Sequence, residues 1–239
     1  MKELIRHEYD PMEIEGCVYW LPHDKFRFVL PTGQQLLRWN LDPSKWDYTT
    51  HGGKLCLHHT AESSGTYSYG TPNPFYPQTA GILCGNGCTI SIWVYGNKST
   101  GSNVMQFFCS SYQCPGDDPN FNRMYGGNPD EILLSPFTGA YGALREFTTG
   151  GTTVDIISQK NMSQLTTGWN CIQWTITAAG AATLYTNGTQ RGTGTAHREC
   201  WIGCGSNALP NRAAAGYFRQ YRLYNRVLTS SELAKLRTE

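Results

Sequence analysis

The chain has 239 residues, of which 39% are hydrophobic, 13% aromatic and only 15% charged, with a formal net charge of +1. Soluble domains usually carry about 25% charged residues; here charge is sparse and no Lys/Arg run stands out, which excludes the electrostatic footprint of a nucleic-acid binder. The 26 Gly and 14 Tyr suit a many-stranded β protein whose turns are made by Gly, Asn and Pro, and the length is that of one large all-β domain.

The opening MKELIRHEYDPMEIEG scatters its charges and has no apolar run, unlike a signal peptide or a membrane anchor. Residues 1–15 read as an arm and residues 16–239 as a single domain. Within the arm, Glu8-Tyr9-Asp10-Pro11-Met12-Glu13 resembles the E-x-D-x-(x)-E string of some glycoside hydrolases, whose chemistry needs a nucleophile and an acid/base roughly 5 to 5.5 Å apart. Pro11 cannot donate to a central ladder and the string precedes the first strand, so a solvated charged arm is the favoured reading and catalysis is not expected.

His51, His58 and His59 flank Leu55-Cys56-Leu57. In a strand His58 and His59 point to opposite faces, so at most one shares a site with Cys56, and ordinary surface or hydrogen-bonded histidines are expected. From Ser63 to Gln78 the chain is a Gly/Pro loop holding Tyr67, Tyr69, Phe75 and Tyr76. Burial does not easily account for so many rings in one loop, and amphipathic rings stack on sugars or anchor a partner. A loop packed on itself and clamped by Pro72, Pro74 and Pro77 is the alternative.

CTISIWVY, Cys88 to Tyr95, places Ile90, Ile92 and Val94 on one face and Trp93 and Tyr95 on the other, so both faces are apolar and an inner strand is expected. Further strands are expected over Val104–Cys109, Thr152–Ser158, Trp169–Thr177, Ala182–Thr186 and Phe218–Tyr224. From Pro115 to Pro136 a second long loop offers Asp117, Asp118 and the Asn120 carbonyl, with Asp130 and Glu131 later. These oxygens suit Ca²⁺, although a plain polar turn uses the same residues. Asn187-Gly188 between two β-forming runs marks a type I′ hairpin.

The nine cysteines leave the compartment open. Cys84/Cys88 and Cys109/Cys114 are spaced for small disulfide loops or half a zinc site, whereas Cys200 and Cys204 in one strand would lie about 13 Å apart. Buried free thiols serve equally well, and zinc trails because no paired C-x₂-C spacing exists. Sequons stand at Asn97, Asn161 and Asn187 and matter only on a eukaryotic secretory route.

The chain closes on GYFRQYRLYNRVLTSSELAKL. Thr229 is placed as a helix N-cap, Glu232 as its returning capping-box carboxylate, and Leu228 and Leu233 as the two halves of a hydrophobic staple. The helix that follows has about two turns and needs a sheet to pack on.

This ending resembles the C-terminal signature of laminin-G-like, concanavalin A-like domains at Gly216, Phe218, Tyr221, Leu223, Tyr224, Asn225, Arg226, Leu228, Glu232 and Leu233. Other pieces are similar to that family in the same order: Thr89–Val94, Gly168–Ile172, Leu184–Gly188 and Trp201–Gly203. Near the start, Tyr19-Trp20-Leu21 with Trp39-Asn40 resembles the opening of many microbial and viral members, with Pro22 and His23 in place of the usual acidic turn. The resemblance spans about Gly16 to Leu236. It implies an all-β, two-sheet antiparallel jelly-roll sandwich with a short C-terminal helix.

By analogy it implies a non-catalytic recognition or adhesion module binding a glycan or protein partner, on a cell or virion surface, with Ca²⁺ as a cofactor in many members. No membrane insertion and a homo-oligomer or larger assembly fit the same picture. A structural virion component is the rival expectation and a glycoside hydrolase the third.

Overall fold

The computed structural model describes residues 14–21, 46–59, 82–83, 87–95, 105–109, 131–134, 140–141, 143–147, 153–158, 160–161, 164–195, 201–202 and 216–238. In chain order the elements are β1 (Cys17–Leu21), β2 (Trp46–His51), β3 (Lys54–His59), β4 (Ile82–Leu83), β5 (Cys88–Tyr95), β6 (Met105–Cys109), β7 (Glu131–Leu134) and β8 (Ala140–Tyr141). Then come β9 (Ala143–Phe147), β10 (Thr153–Ile157), β11 (Lys160–Asn161), β12 (Trp169–Ile176), β13 (Ala181–Thr186), β14 (Thr189–Thr195), β15 (Trp201–Ile202), β16 (Gly216–Tyr224) and α1 (Ser230–Lys235). The all-β expectation holds, and each expected strand is present within a residue or two of its reading. Glu131, read as part of a loop, opens β7.

The main sheet has the order β14-β13-β12-β5-β16-β3-β2, with β1 as an additional partner of β16. A separate four-stranded sheet has the order β10-β9-β7-β6, and its β10 lies near β13 and β14 of the main sheet. β5 lies between β12 and β16 with both faces buried, as its two apolar faces demand. Ile90, Ile92, Ile172, Trp174, Leu184 and Leu223 share the inner face and are fully buried. At the β13–β14 turn Asn187 (φ 50°) and Gly188 (φ 82°) both take positive φ, the type I′ geometry read from the sequence.

β16 changes partner partway along: residues 216–218 pair with β3, and residues 221–224 pair with β1. The β5–β16 register shifts between Arg219 and Arg222, and Gln220 adopts φ 53° there. This bulge inserts one extra residue. It returns Phe218, Tyr221 and Leu223 to the buried face although their spacing is three and then two.

α1 seals the outer face of the sheet as the capping box and staple predict. The Thr229 hydroxyl accepts from the Glu232 backbone N–H and the Glu232 carboxylate accepts from the Thr229 N–H at 2.8 Å. Leu228, Leu233 and Leu236 pack with Ile14, Cys17 and Tyr224. Sheet side chains cap the helix carbonyls, Gln173 Nε2 on Leu233 O at 3.1 Å and Trp93 Nε1 on Leu236 O at 3.2 Å. A six-residue helix is unstable alone, so these bonds and the staple hold it.

Arg226 ties the assembly together, donating to both Glu232 carboxylate oxygens at 2.6 and 3.0 Å and through Nε to the Glu15 carbonyl at 2.9 Å. The hydrogen bonds from Arg226, reinforced by Thr229, hold the Glu232 carboxyl down at about 2 against an ordinary value of 4.5. A depressed acid contributes stability above its ordinary pKa and loses it as pH falls toward the folded-state value. The latch is therefore expected to weaken between about pH 4.5 and pH 2. Glu232→Gln, which keeps the cap but drops the ion pair, costs on the order of 1 kcal/mol at neutral pH. Thermal unfolding from pH 7 down to pH 3 checks this: the deficit of the variant shrinks as the pH falls.

Candidate functional site

Beyond the helix, the outer face carries a row of side chains in register across five strands. Asp47 pairs with His58, and His58 with Tyr217. Phe218 pairs with Val94, which sets Tyr217 beside Tyr95, and Tyr95 pairs with Trp169. Period-two alternation puts all five on the face opposite Ile92 and Val94. The four rings are half-buried and the Asp47 side chain is 54% exposed.

The rings interlock. Tyr217 is sandwiched between His51 (centroids 3.7 Å, 5° between planes) and His58 (4.4 Å, 12°). Tyr95 meets His51 edge-on at 4.2 Å and Trp169 edge-on at 5.3 Å, the geometry that ring quadrupoles favour. Imidazoles thus cover both faces of the Tyr217 ring. His58 Nδ1 lies 2.9 Å from the Asp47 carboxylate. Beneath the row, the Arg219 guanidinium lies 5.9 Å from the Trp93 ring centre and 5.6 Å from that of Trp169, within cation–π range.

The β2–β3 turn borders the row. Trp169 Nε1 donates to the His51 carbonyl at 3.2 Å, and a Cβ on Gly52 would run into the Tyr95 ring and press on Trp169 Nε1. Gly52 (φ 54°) and Gly53 (φ 75°) make the turn that lets its backbone lie against these rings. Cys56, between the histidines in sequence, is buried and donates to the Thr49 carbonyl at 3.4 Å. Burial pushes its thiol up to about 11, which makes it a poor nucleophile or metal ligand.

The loop aromatics Tyr67, Tyr69, Phe75 and Tyr76 lie outside the described residues, as do the calcium candidates Asp117, Asp118 and Asn120 and the arm residues Glu8 and Glu13. Among the described residues, no group of three or more His, Cys, Asp or Glu side chains is placed to hold a metal ion. Cys17, Cys56, Cys88 and Cys171 are buried, and Cys84 lies outside the described residues. No helix among the described residues is long and apolar enough to cross a membrane. In the sequence alone His51 and His58 read as ordinary polar histidines, and Tyr95 and Trp169 as strand residues. Finding the row needs the pairing register of five strands, which no single segment contains.

The profile of the laminin-G-type concanavalin A-like lectin/glucanases superfamily matches residues 64–234. No curated protein matches the chain. Among solved structures it is similar to domain 4 of AbnA, a GH43 extracellular arabinanase from Geobacillus stearothermophilus, in complex with arabinotriose (16% identity, TM-score 0.46, covering 81% of this chain and 82% of that one). It is also similar to the ligand-binding domain of botulinum neurotoxin serotype D in complex with N-acetylneuraminic acid (12% identity, TM-score 0.48, 93% and 50%). A third is the binding domain of Paraclostridial Mosquitocidal Protein 1 (16% identity, TM-score 0.47, 92% and 51%). The chain spans about half the length of the two toxin domains. The family profile takes in well over half of the residues, including the bulged final strand and the start of the capped helix, and the chain belongs to the concanavalin A-like lectin/glucanases superfamily.

Proposed function

We propose that the chain is a non-catalytic recognition module that binds glycans through the outer face of its main sheet. The observation that carries this reading is the half-exposed row from Asp47 to Trp169. It offers a carboxylate and an imidazole for sugar hydroxyls beside aromatic surface for their C–H faces. Membership of a superfamily that includes lectins supports it. The row brings one carboxylate, Asp47, and glycoside cleavage ordinarily needs two flanking the scissile bond, which favours binding over hydrolysis. The Tyr67, Tyr69, Phe75 and Tyr76 loop is a second candidate contact, and Asp117, Asp118 and Asn120 remain a proposed Ca²⁺ set.

A glycan array on the intact chain tests the reading. Saturable binding is expected, and Trp169→Ala, checked for folding by circular dichroism, is expected to weaken it at least about tenfold, since buried aromatic anchors are worth 2 kcal/mol or more. Retained affinity in Trp169→Ala with loss in Tyr67→Ala and Tyr76→Ala would move the contact to the loop. Calcium dependence of binding would bring in the Asp117 set. An array with no saturable signal would overturn the proposal.

A further inference from the structure

The row has a direction and a length. Its members sit on five adjacent strands, β2, β3, β16, β5 and β12, so it runs at right angles to the strands and spans four strand spacings, roughly 19 Å. Its two ends differ in chemistry. At one, the Asp47 carboxylate and the His58 imidazole are paired at 2.9 Å. At the other, Tyr95 and Trp169 meet edge to face. Between them Tyr217 has both ring faces covered and presents its rim. One sugar ring engages one end of such a strip and leaves the other untouched.

Charge narrows the class further. Along the strip the Asp47 carboxylate is exposed, and Lys54 is exposed on the bordering turn, opposite His51. These charges offset one another. Of the other described residues, Arg219 is 6% exposed and lies against the Trp93 and Trp169 rings. Among the described residues the strip therefore carries no net attraction for a carboxylated or sulfated sugar, and Asp47 repels one at its own end.

We infer that the ligand is a linear, uncharged oligosaccharide lying lengthwise along the row from Asp47 to Trp169, across the strands. This rests on the glycan-recognition reading and adds chain length, orientation and charge to it. Successive rings place their C–H faces on Tyr95 and Trp169 at one end and their hydroxyls on Tyr217, His58 and Asp47 toward the other. Affinity then accumulates along the chain until the strip is filled.

The test is calorimetric titration of the intact chain with the cello-, xylo- and malto-oligosaccharide series, from monosaccharide to hexasaccharide, alongside a glycan array that includes sialylated and uronic-acid glycans. In the preferred series affinity is expected to rise at least about tenfold from monosaccharide to the longer members, equivalent to about 1.4 kcal/mol, and then level off. Asp47→Ala, an exposed site where folding is readily verified, is expected to bring the plateau to a shorter member. A monosaccharide that binds as tightly as the hexasaccharide, or a plateau at the same length in Asp47→Ala, overturns the lengthwise pose. Preference for acidic glycans overturns the assignment of charge. If neither the three series nor the array shows saturable binding, the glycan reading itself fails, an outcome distinct from binding without length dependence.

Discussion

Asn170→Ala is expected to destabilise the chain by roughly 2 to 3 kcal/mol, far more than truncating a small polar side chain at the surface. Asn170 is fully buried at the head of β12. Its Oδ1 accepts from the Thr166 N–H at 2.9 Å, the Thr166 hydroxyl at 3.0 Å and Asn187 Nδ2 at 2.9 Å. Its Nδ2 donates to the carbonyls of Thr166 at 2.8 Å and Gly168 at 3.0 Å. Asn187 in turn joins the hairpin tip to β12, its Oδ1 accepting from the Cys171 N–H and its own N–H donating to the Cys171 carbonyl. An alanine at 170 strands these partners together. Thr166 and Asn187 are exposed and recover part of the loss from water, which keeps the sum below five independent penalties. At this chain length the midpoint of thermal unfolding is expected to fall by roughly 5 to 10 °C. Asn170→Asp keeps the acceptor but sets an oxygen against the Thr166 and Gly168 carbonyls in a buried site, so a loss at least as large is expected. A change within about 0.5 kcal/mol for Asn170→Ala, the range of ordinary surface substitutions, would refute this account of the network.

Asn170 also marks where the sequence stops being readable. Its strand and the Asn187-Gly188 turn each carry a local signal, period-two alternation in one and tolerance of positive φ in the other. The bond between the two asparagines spans 17 positions and has no such signal. The same division runs through the molecule. Thr229, Glu232, Leu228 and Leu233 were legible because a cap and a staple are complete within six residues. The bulge at Gln220 was not read from the sequence, and the place where β16 passes from β3 to β1 depends on distant strands. The Arg226–Glu232 latch sits inside the recognised signature, but its reach to the Glu15 carbonyl crosses 211 positions. Of the candidate site, the residue types were visible and their alignment was not. Asp47, His58, Tyr217, Tyr95 and Trp169 come from five segments, and only strand order and register bring them into one row.

Gly194→Val is expected to have the largest effect of any single substitution considered, at least about 3 kcal/mol, beyond the usual cost of overpacking because the obstacle is backbone. β14 reads Thr-Gln-Arg-Gly-Thr-Gly-Thr, with Gly192 and Gly194 two apart and therefore on one face. Their partners across the ladder, Leu184 and Ala182, are buried, which identifies that face as the inner one. There β10 of the second sheet comes close, and a Cβ on Gly194 would fall onto the Ile156 carbonyl oxygen. A carbonyl held in a strand cannot swing aside as a side chain does, so β10 or β14 must move as a whole and open the contact between layers. At Gly192 the obstacles are the Lys160 Cε at 2.8 Å and an Ile157 methyl at 2.9 Å, and the lysine end is flexible. The expected order of destabilisation is Gly194→Val, then Gly194→Ala, then Gly192→Ala, read from thermal or denaturant unfolding. Amide exchange in residues 153–157 should quicken in the Gly194 variants before the core strands β5 and β12 lose protection, because the damage begins at the seam between sheets. A Gly194→Val protein as stable as the parent, or one in which Gly192→Ala is the worse change, would show that the two layers do not meet backbone to backbone at this point.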